Sequence, residues 1–346
     1  MRIIPIFVPH EGCPHDCVFC NQRKIASQHS PEPSDAECEI ELAIRKTGTG
    51  AQLAFYGGSF TAIEQCRQES LLEVGKRYIQ RGAIESIRVS TRPDCIDEAV
   101  CERLREYGVK TVELGVQSMS DEVLCLSNRG HTSEHARLAV KMLKDFGFEV
   151  IVQVMAGLPG DSEEISLYTA KETAKLRPDG TRIYPVVVIR DTALFDMWEA
   201  GVYVPLTPQQ GAFRASLMLE EYIKHDIPVI RIGLNPTEDL SGGGAVAGAY
   251  HPALGEIARG YIYRRLAERL LDTVQKGETA EMYVNPSFVS CMTGIKRENV
   301  LFLEEKYSIR LKIKPSAELD AYEAGIKNTK SGSGMIVSKI DRYSGV

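Results

Sequence analysis

Apolar, β-branched runs punctuate the first two-thirds of the chain. They are RIIPIFV from Arg2, AQLAFY from Ala51, ESIRVST from Glu85, VKTVELGVQ from Val109, FEVIVQVM from Phe148 and TRIYPVVVI from Thr181. A seventh, IPVIRIGL from Ile227, is a weaker strand candidate. Between them lie stretches of helical periodicity such as EEISLYTAKETAKL and FRASLMLEEYIKH. Strands alternating with helices of this length predict βαβ crossovers and a parallel sheet. Six such units exceed a small doubly wound domain and fit an α/β fold, a partial (β/α)6 TIM-like barrel. Most of the strands end in glycine, proline or polar clusters: YGGSF, STRPD, GVQS and MAGLPGD. Such loops mark the C-terminal strand ends, the face where parallel barrels place their chemistry.

After about Pro236 the pattern changes. A glycine-rich segment leads into a strong helix, ALGEIARGYIYRRLAERLLDTVQ, then a short strand AEMYVNP, a helix around IKRENVLFLEEKY and a last strand IRLKIKP. The organisation predicted is a barrel over 1–236, a small C-terminal α+β cap over 237–330 and a loose tail over 331–346.

Composition changes this picture little. The chain has 346 residues, 43% hydrophobic and 25% charged, enough for a large core. A net charge of −6 argues against strong nonspecific binding to nucleic-acid phosphates. No run of about 18 apolar residues occurs, and the N-terminal apolar stretch is short and broken by Pro5 and Pro9, so neither a membrane span nor a secretory signal is expected. The nine cysteines suit a reduced, cytoplasmic setting, in which clustered thiols mean metal or catalysis.

Three of the nine fall together in PHEGCPHDCVFCNQRK, at Cys13, Cys17 and Cys20, on the loop after the first strand. Pro14 argues against a helix there, and in a tight loop the x3 and x2 gaps let three thiolates converge. A structural zinc ion needs a fourth ligand, which His10 or His15 would supply. An iron–sulfur cluster held by three thiolates leaves one iron open to a substrate or cofactor.

C-x3-C-x2-C with Phe19 before the last cysteine, just after the first barrel strand, resembles the radical S-adenosylmethionine (SAM) superfamily. The resemblance implies a [4Fe–4S] cluster on Cys13, Cys17 and Cys20, SAM on its open iron, and an electron donor such as flavodoxin or ferredoxin. In that family the cluster cleaves SAM reductively to a 5′-deoxyadenosyl radical, which takes hydrogen from substrate. Further cofactor-binding positions are implied along the strand ends. Gly57 and Gly58 stand where the family receives the methionine amino group, with Ser59 in place of an acid. Ser90 and Arg92 follow the third strand, and Arg suits a carboxylate through its planar fork. Glu113 and Gln117 are polar in an apolar strand and share a face with Gly115, so both are expected in the barrel interior. Gln153 and Met155 project together from the fifth strand.

SNRGHT (Ser127 to Thr132), MAGLPGD and RPDGTRIYPVVVIRDTALFDMWEAGVYVP resemble the radical domain of the Elongator catalytic subunit family, from Met1 to about Pro236. That likeness implies a transfer-RNA nucleoside as substrate. This chain spaces its cysteines more compactly than that family and shows no recognisable acetyl-CoA loop, so the carboxymethyl-donor half is expected to be missing. GVQS and GLPG also occur in oxygen-independent coproporphyrinogen oxidases and their haem-chaperone relatives, a second reading. A non-catalytic iron–sulfur or zinc module is a third. Arg129, His131, Tyr184 and Arg190 sit near the active face without an assigned role. Cys38, Cys66, Cys95, Cys101, Cys125 and Cys291 lack partner spacing and are expected to be buried free thiols. Arg259, Arg264, Arg265 and Arg269 make the long helix basic, more fitting a solvated face than an RNA contact.

Overall fold

The computed structural model describes residues 2–8, 13, 15–20, 31–234, 244–272, 274–327 and 334–343. Its first part alternates strand and helix: β1 (Ile3–Val8), α1 (Pro33–Thr47), β2 (Ala51–Gly57), α2 (Gln65–Gln80), β3 (Ile84–Thr91), α3 (Glu98–Glu106), β4 (Val109–Gln117), α4 (Asp121–Leu126), α5 (Ser133–Asp145), β5 (Glu149–Ala156), α6 (Glu163–Lys175) and β6 (Gly180–Pro185). β7 (Val187–Ile189), α7 (Ala193–Glu199), α8 (Pro208–Lys224) and β8 (Val229–Ile232) follow. Asp97, Ser120, Thr132, Ser162, Thr192 and Thr207 start six of the helices by accepting the backbone N–H three residues on.

The main sheet runs β1-β2-β3-β4-β5-β6-β8, every pair parallel. It curls into a partial barrel with helices on its outside. The weaker run at Ile227 thus becomes a seventh strand, one more than the six expected. The run TRIYPVVVI splits after Pro185. Gly180–Pro185 stays in the sheet, while Val187–Ile189 turns away and pairs antiparallel with β9 (Ala245–Gly248).

α9 (Leu254–Leu271) leads into β10 (Thr279–Val284), α10 (Val289–Thr293), α11 (Glu298–Tyr307), β11 (Arg310–Pro315), β12 (Glu323–Lys327) and β13 (Met335–Lys339). The second sheet is ordered β11-β10-β12-β13. One expectation needs correcting. The segment 331–346 is not a loose tail throughout: Met335–Lys339 pairs with β12, and Ile340 is buried, because the open edge of β12 accepts another strand and the core another apolar side chain. The proposed boundary at 236 lies outside the described residues; beyond it β9 pairs with β7 in a separate two-stranded sheet, and the last barrel strand is β8.

Two large apolar clusters back the sheet. One packs the outer face of β1–β5 against α1, α2, α3 and α5 through Ile40, Leu71, Leu72, Leu104 and Leu143. The other runs unbroken from Val154 and Ile183, through Met218 and Tyr222 of α8 and Tyr263 and Leu266 of α9, to Met282, Ile326 and Ile340 of the second sheet. The C-terminal part therefore shares its core with the barrel. The arginines of α9 serve this packing: Arg265 binds Glu220 and Ser216, and Arg264 stacks on Tyr261 and Phe302. No helix among the described residues is long and apolar enough to cross a membrane.

Candidate active site

With the outer face of the sheet committed to helices, polar residues of the strands collect on the inner face. The deepest are Gln52, Ser86 and Thr111, where the Gln52 amide donates to both hydroxyls at 3.0 and 3.1 Å. Next comes Glu113. Its Oε1 accepts from Arg88 (2.6 Å), Arg182 (3.0 Å) and the Tyr56 hydroxyl (3.1 Å). Burial, then the neighbouring Glu113 charge, push the Tyr56 phenol up to about 12, so it stays protonated and donates. Nearer the strand ends the Gln153 amide donates to Gln117 Oε1 at 3.3 Å. Gln117 takes φ +66° where a register shift interrupts β4.

Above these strands lies a cavity of about 760 Å³, within the range of small-molecule and cofactor sites. Cys13, Cys17, Phe19 and Cys20 line it from the loop after β1. Gly57, Gly58 and Ser59 line it after β2, and Ser90 from β3. Glu113 and Gln117 face it from β4, Gln153 and Met155 from β5. Gly57 is required by its surroundings: at φ +114° any Cβ would stand 2.4 Å from the Val8 carbonyl oxygen.

Arg92 is the sequence-selected position that does not reach the cavity. Its side chain is 1% exposed, forks onto both carboxylate oxygens of Asp94 (2.9 and 3.0 Å) and donates to the Arg129 carbonyl. It braces a neighbouring loop instead. That loop, SNRGHT, holds the cysteines: Val18 N–H donates to the Ser127 carbonyl (3.1 Å), and Asn128 Nδ2 to the Asp16 carbonyl (2.8 Å). Gly130, at φ +78°, leaves room for the His15 ring, which a Cβ there would meet at 2.2 Å. Arg129 is buried, donating to the Gly115 carbonyl (2.8 Å) and towards Cys17 Sγ (3.4 Å). His131 is buried beneath it, its Nε2 on the Val116 carbonyl at 3.2 Å. Of the two histidines weighed as zinc ligands, His15 lines the cavity and His10 lies outside the described residues, as does Pro14.

All described cysteines are free thiols, but Cys38, Cys66 and Cys125 are exposed rather than buried as expected, since they sit on the outward faces of surface helices. Cys13 Sγ is 3.6 Å from the Ser59 hydroxyl. Among the described residues no three His, Cys, Asp or Glu side chains are gathered closely enough to hold a metal ion, so binding one would draw the three sulfurs together.

Residues 7–169 match the family model described as the Radical SAM superfamily. The chain carries a radical SAM domain. Residues 178–264 match the Radical_SAM C-terminal domain. The tRNA uridine(34) acetyltransferase of Methanocaldococcus infernus is 32% identical over 205 residues, 51% of this chain and 38% of that protein. The enzyme of the same name from Dehalococcoides mccartyi is 36% identical over 230 residues, 56% of this chain and 50% of that one. The chain thus spans half or less of the length of these two relatives. The solved structure of archaeal Methanocaldococcus infernus Elp3, lacking residues 1–46, superposes with a TM-score of 0.59 at 23% identity, covering 76% of this chain and 63% of that one.

A radical SAM domain implies a [4Fe–4S] cluster and SAM, and the donor set fits them. Three disulfide-free thiols, the soft ligands such clusters use, lie on one rim of the cavity, and a guanidinium faces one of them. Tyr56, Arg182 and Arg231 also line the cavity and went unassigned in the sequence. Arg182 had a readable signal, because it alternates with Tyr184 in an otherwise apolar strand. Arg231 carried the same signal within VIRI, but its neighbour is set only by β8 joining β6.

Proposed function

We propose that the protein holds a [4Fe–4S] cluster on Cys13, Cys17 and Cys20, takes SAM into the cavity across the ends of β2 to β5, and abstracts hydrogen from a transfer-RNA nucleoside. The observation that carries this reading is that the three thiols and the Gln117–Gln153 pair line one cavity at the C-terminal strand ends. When bound, the cluster supplies the electron that cleaves the SAM sulfonium to a 5′-deoxyadenosyl radical.

The protein's own share is to position and shield. Gly57 and Gly58 let the backbone approach the methionine end closely, and Ser59 adds a hydroxyl. Arg129 sets a fixed positive charge beside Cys17, offsetting thiolate charge in a partly enclosed site. Ser90, Gln117 and Gln153 offer hydrogen bonds, and Phe19 and Met155 apolar contact. Glu113, shared between two arginines and a tyrosine, fixes the floor. A flavodoxin- or ferredoxin-like protein delivers the electron. The names of the relatives support a transfer-RNA substrate.

The substrate is tested by following 5′-deoxyadenosine from the reduced, reconstituted enzyme with SAM, with and without transfer RNA. A severalfold rise with transfer RNA is expected. SAM cleavage indifferent to transfer RNA would overturn the substrate and leave the radical chemistry standing.

A further inference from the structure

The inner end of the cavity carries more positive charge than its own residues neutralise. Arg182 on β6 and Arg231 on β8 are register partners, and both line the cavity. Glu113 is the carboxylate at this level, and its Oε1 is already shared by Arg88 at 2.6 Å and Arg182 at 3.0 Å. Tyr56, the third group on that oxygen, is a neutral donor. The Arg231 side chain has no ion pair or hydrogen bond among the described residues, and the buried Nε of Arg182 has none either. Three guanidinium groups therefore face one carboxylate.

Part of that excess is buried: the Arg182 side chain is 13% exposed and Glu113 6%, whereas Arg231 is half-buried and the apolar residues beside it reach solvent. Ile3, Pro5, Phe7 and Ile230 wall the cavity at the β1 and β8 edges. A charge as buried as that of Arg182 needs partners for its donors, and its Nε has none. A guanidinium offers a planar fork that matches an oxyanion with two parallel hydrogen bonds.

We propose that Arg231 and Arg182 form an anion-binding pair that recognises an oxyanion, a phosphate or carboxylate, on the substrate. The pair sits on β6 and β8, whereas the cysteine loop follows β1 at the opposite edge of the sheet. A substrate anchored by its anion at one edge extends across the cavity towards the thiols at the other. The assignment of this anion to a substrate rests on the radical reading above; binding of the anion itself does not.

Isothermal titration of the full-length protein with inorganic phosphate, and separately with acetate, at constant ionic strength tests the proposal. Saturable one-site binding is expected with at least one of the two, and the tighter anion identifies the class. Arg231→Gln should weaken it at least about tenfold, the worth of one charge-assisted hydrogen bond, with an unchanged urea midpoint. Arg231→Lys, which keeps the charge and loses the fork, should fall between the two. Failure of both anions to bind the wild type, or equal binding by Arg231→Gln, overturns the proposal. Titration needs no SAM cleavage, so a protein that binds anion but forms no 5′-deoxyadenosine overturns the radical reading alone.

Discussion

His131 shows how a single buried residue ties the cysteine loop to pH. It is enclosed between Val116, Arg129 and Asp94, and burial, then the Arg129 charge, push its imidazole down to about 3 against a partial pull from Asp94. The native ring is therefore neutral, whereas the unfolded chain takes up a proton below about pH 6.5. Its native contribution is intact above that pH and is lost as pH falls towards the folded value, by up to about 1.4 kcal/mol per pH unit. Urea unfolding between pH 7.5 and 5 should show this slope in the wild type and a shallower one in His131→Gln, which keeps a donor for the Val116 carbonyl. Equal slopes would contradict the account. Arg92 acts at the same scale, as a brace where a cofactor ligand was expected. A sequence displays an arginine after a strand, but not the Asp94 fork and Arg129 carbonyl that take up its donors.

At the scale of elements, legibility follows partner distance. β1 to β6 announce themselves as apolar runs closed by glycine, proline or a polar cluster, each paired with a strand one or two helices away. β12 and β13 are short, EAGIK and MIVSK, and their pairing depends on a sheet edge built by β10. β7 and β9 meet only after the chain has passed through α8 and β8. Their sequences carry too little periodicity to announce partners that far off. The strand at 335–339 is testable through its neighbour Ile340, which is 7% exposed in the shared core. Ile340→Ala should cost about 2–4 kcal/mol in urea unfolding. A loss under about 0.5 kcal/mol, normal for an exposed site, would return the segment to a loose tail.

For the whole molecule, one architecture serves stability and chemistry on opposite faces of the same sheet. The outer face is spent on helices and on a core continuous with the C-terminal sheet; the inner face keeps the polar residues that a packed core would have excluded. The sequence places the cysteines, Gly57, Gly58, Gln117 and Gln153 on the cavity because they lie on strands or on the loops that follow them at one end of the sheet. Arg182 and Arg231 were not recognised as a pair, since only the closed sheet order sets them side by side. The central claim is that the three thiols hold a cluster that SAM can reach. It is tested most directly by EPR of the anaerobically reconstituted, reduced protein with and without SAM. A [4Fe–4S] signal that shifts on adding SAM and disappears in Cys17→Ala is the expected result. A signal indifferent to SAM, or stoichiometric zinc in place of iron, would contradict it.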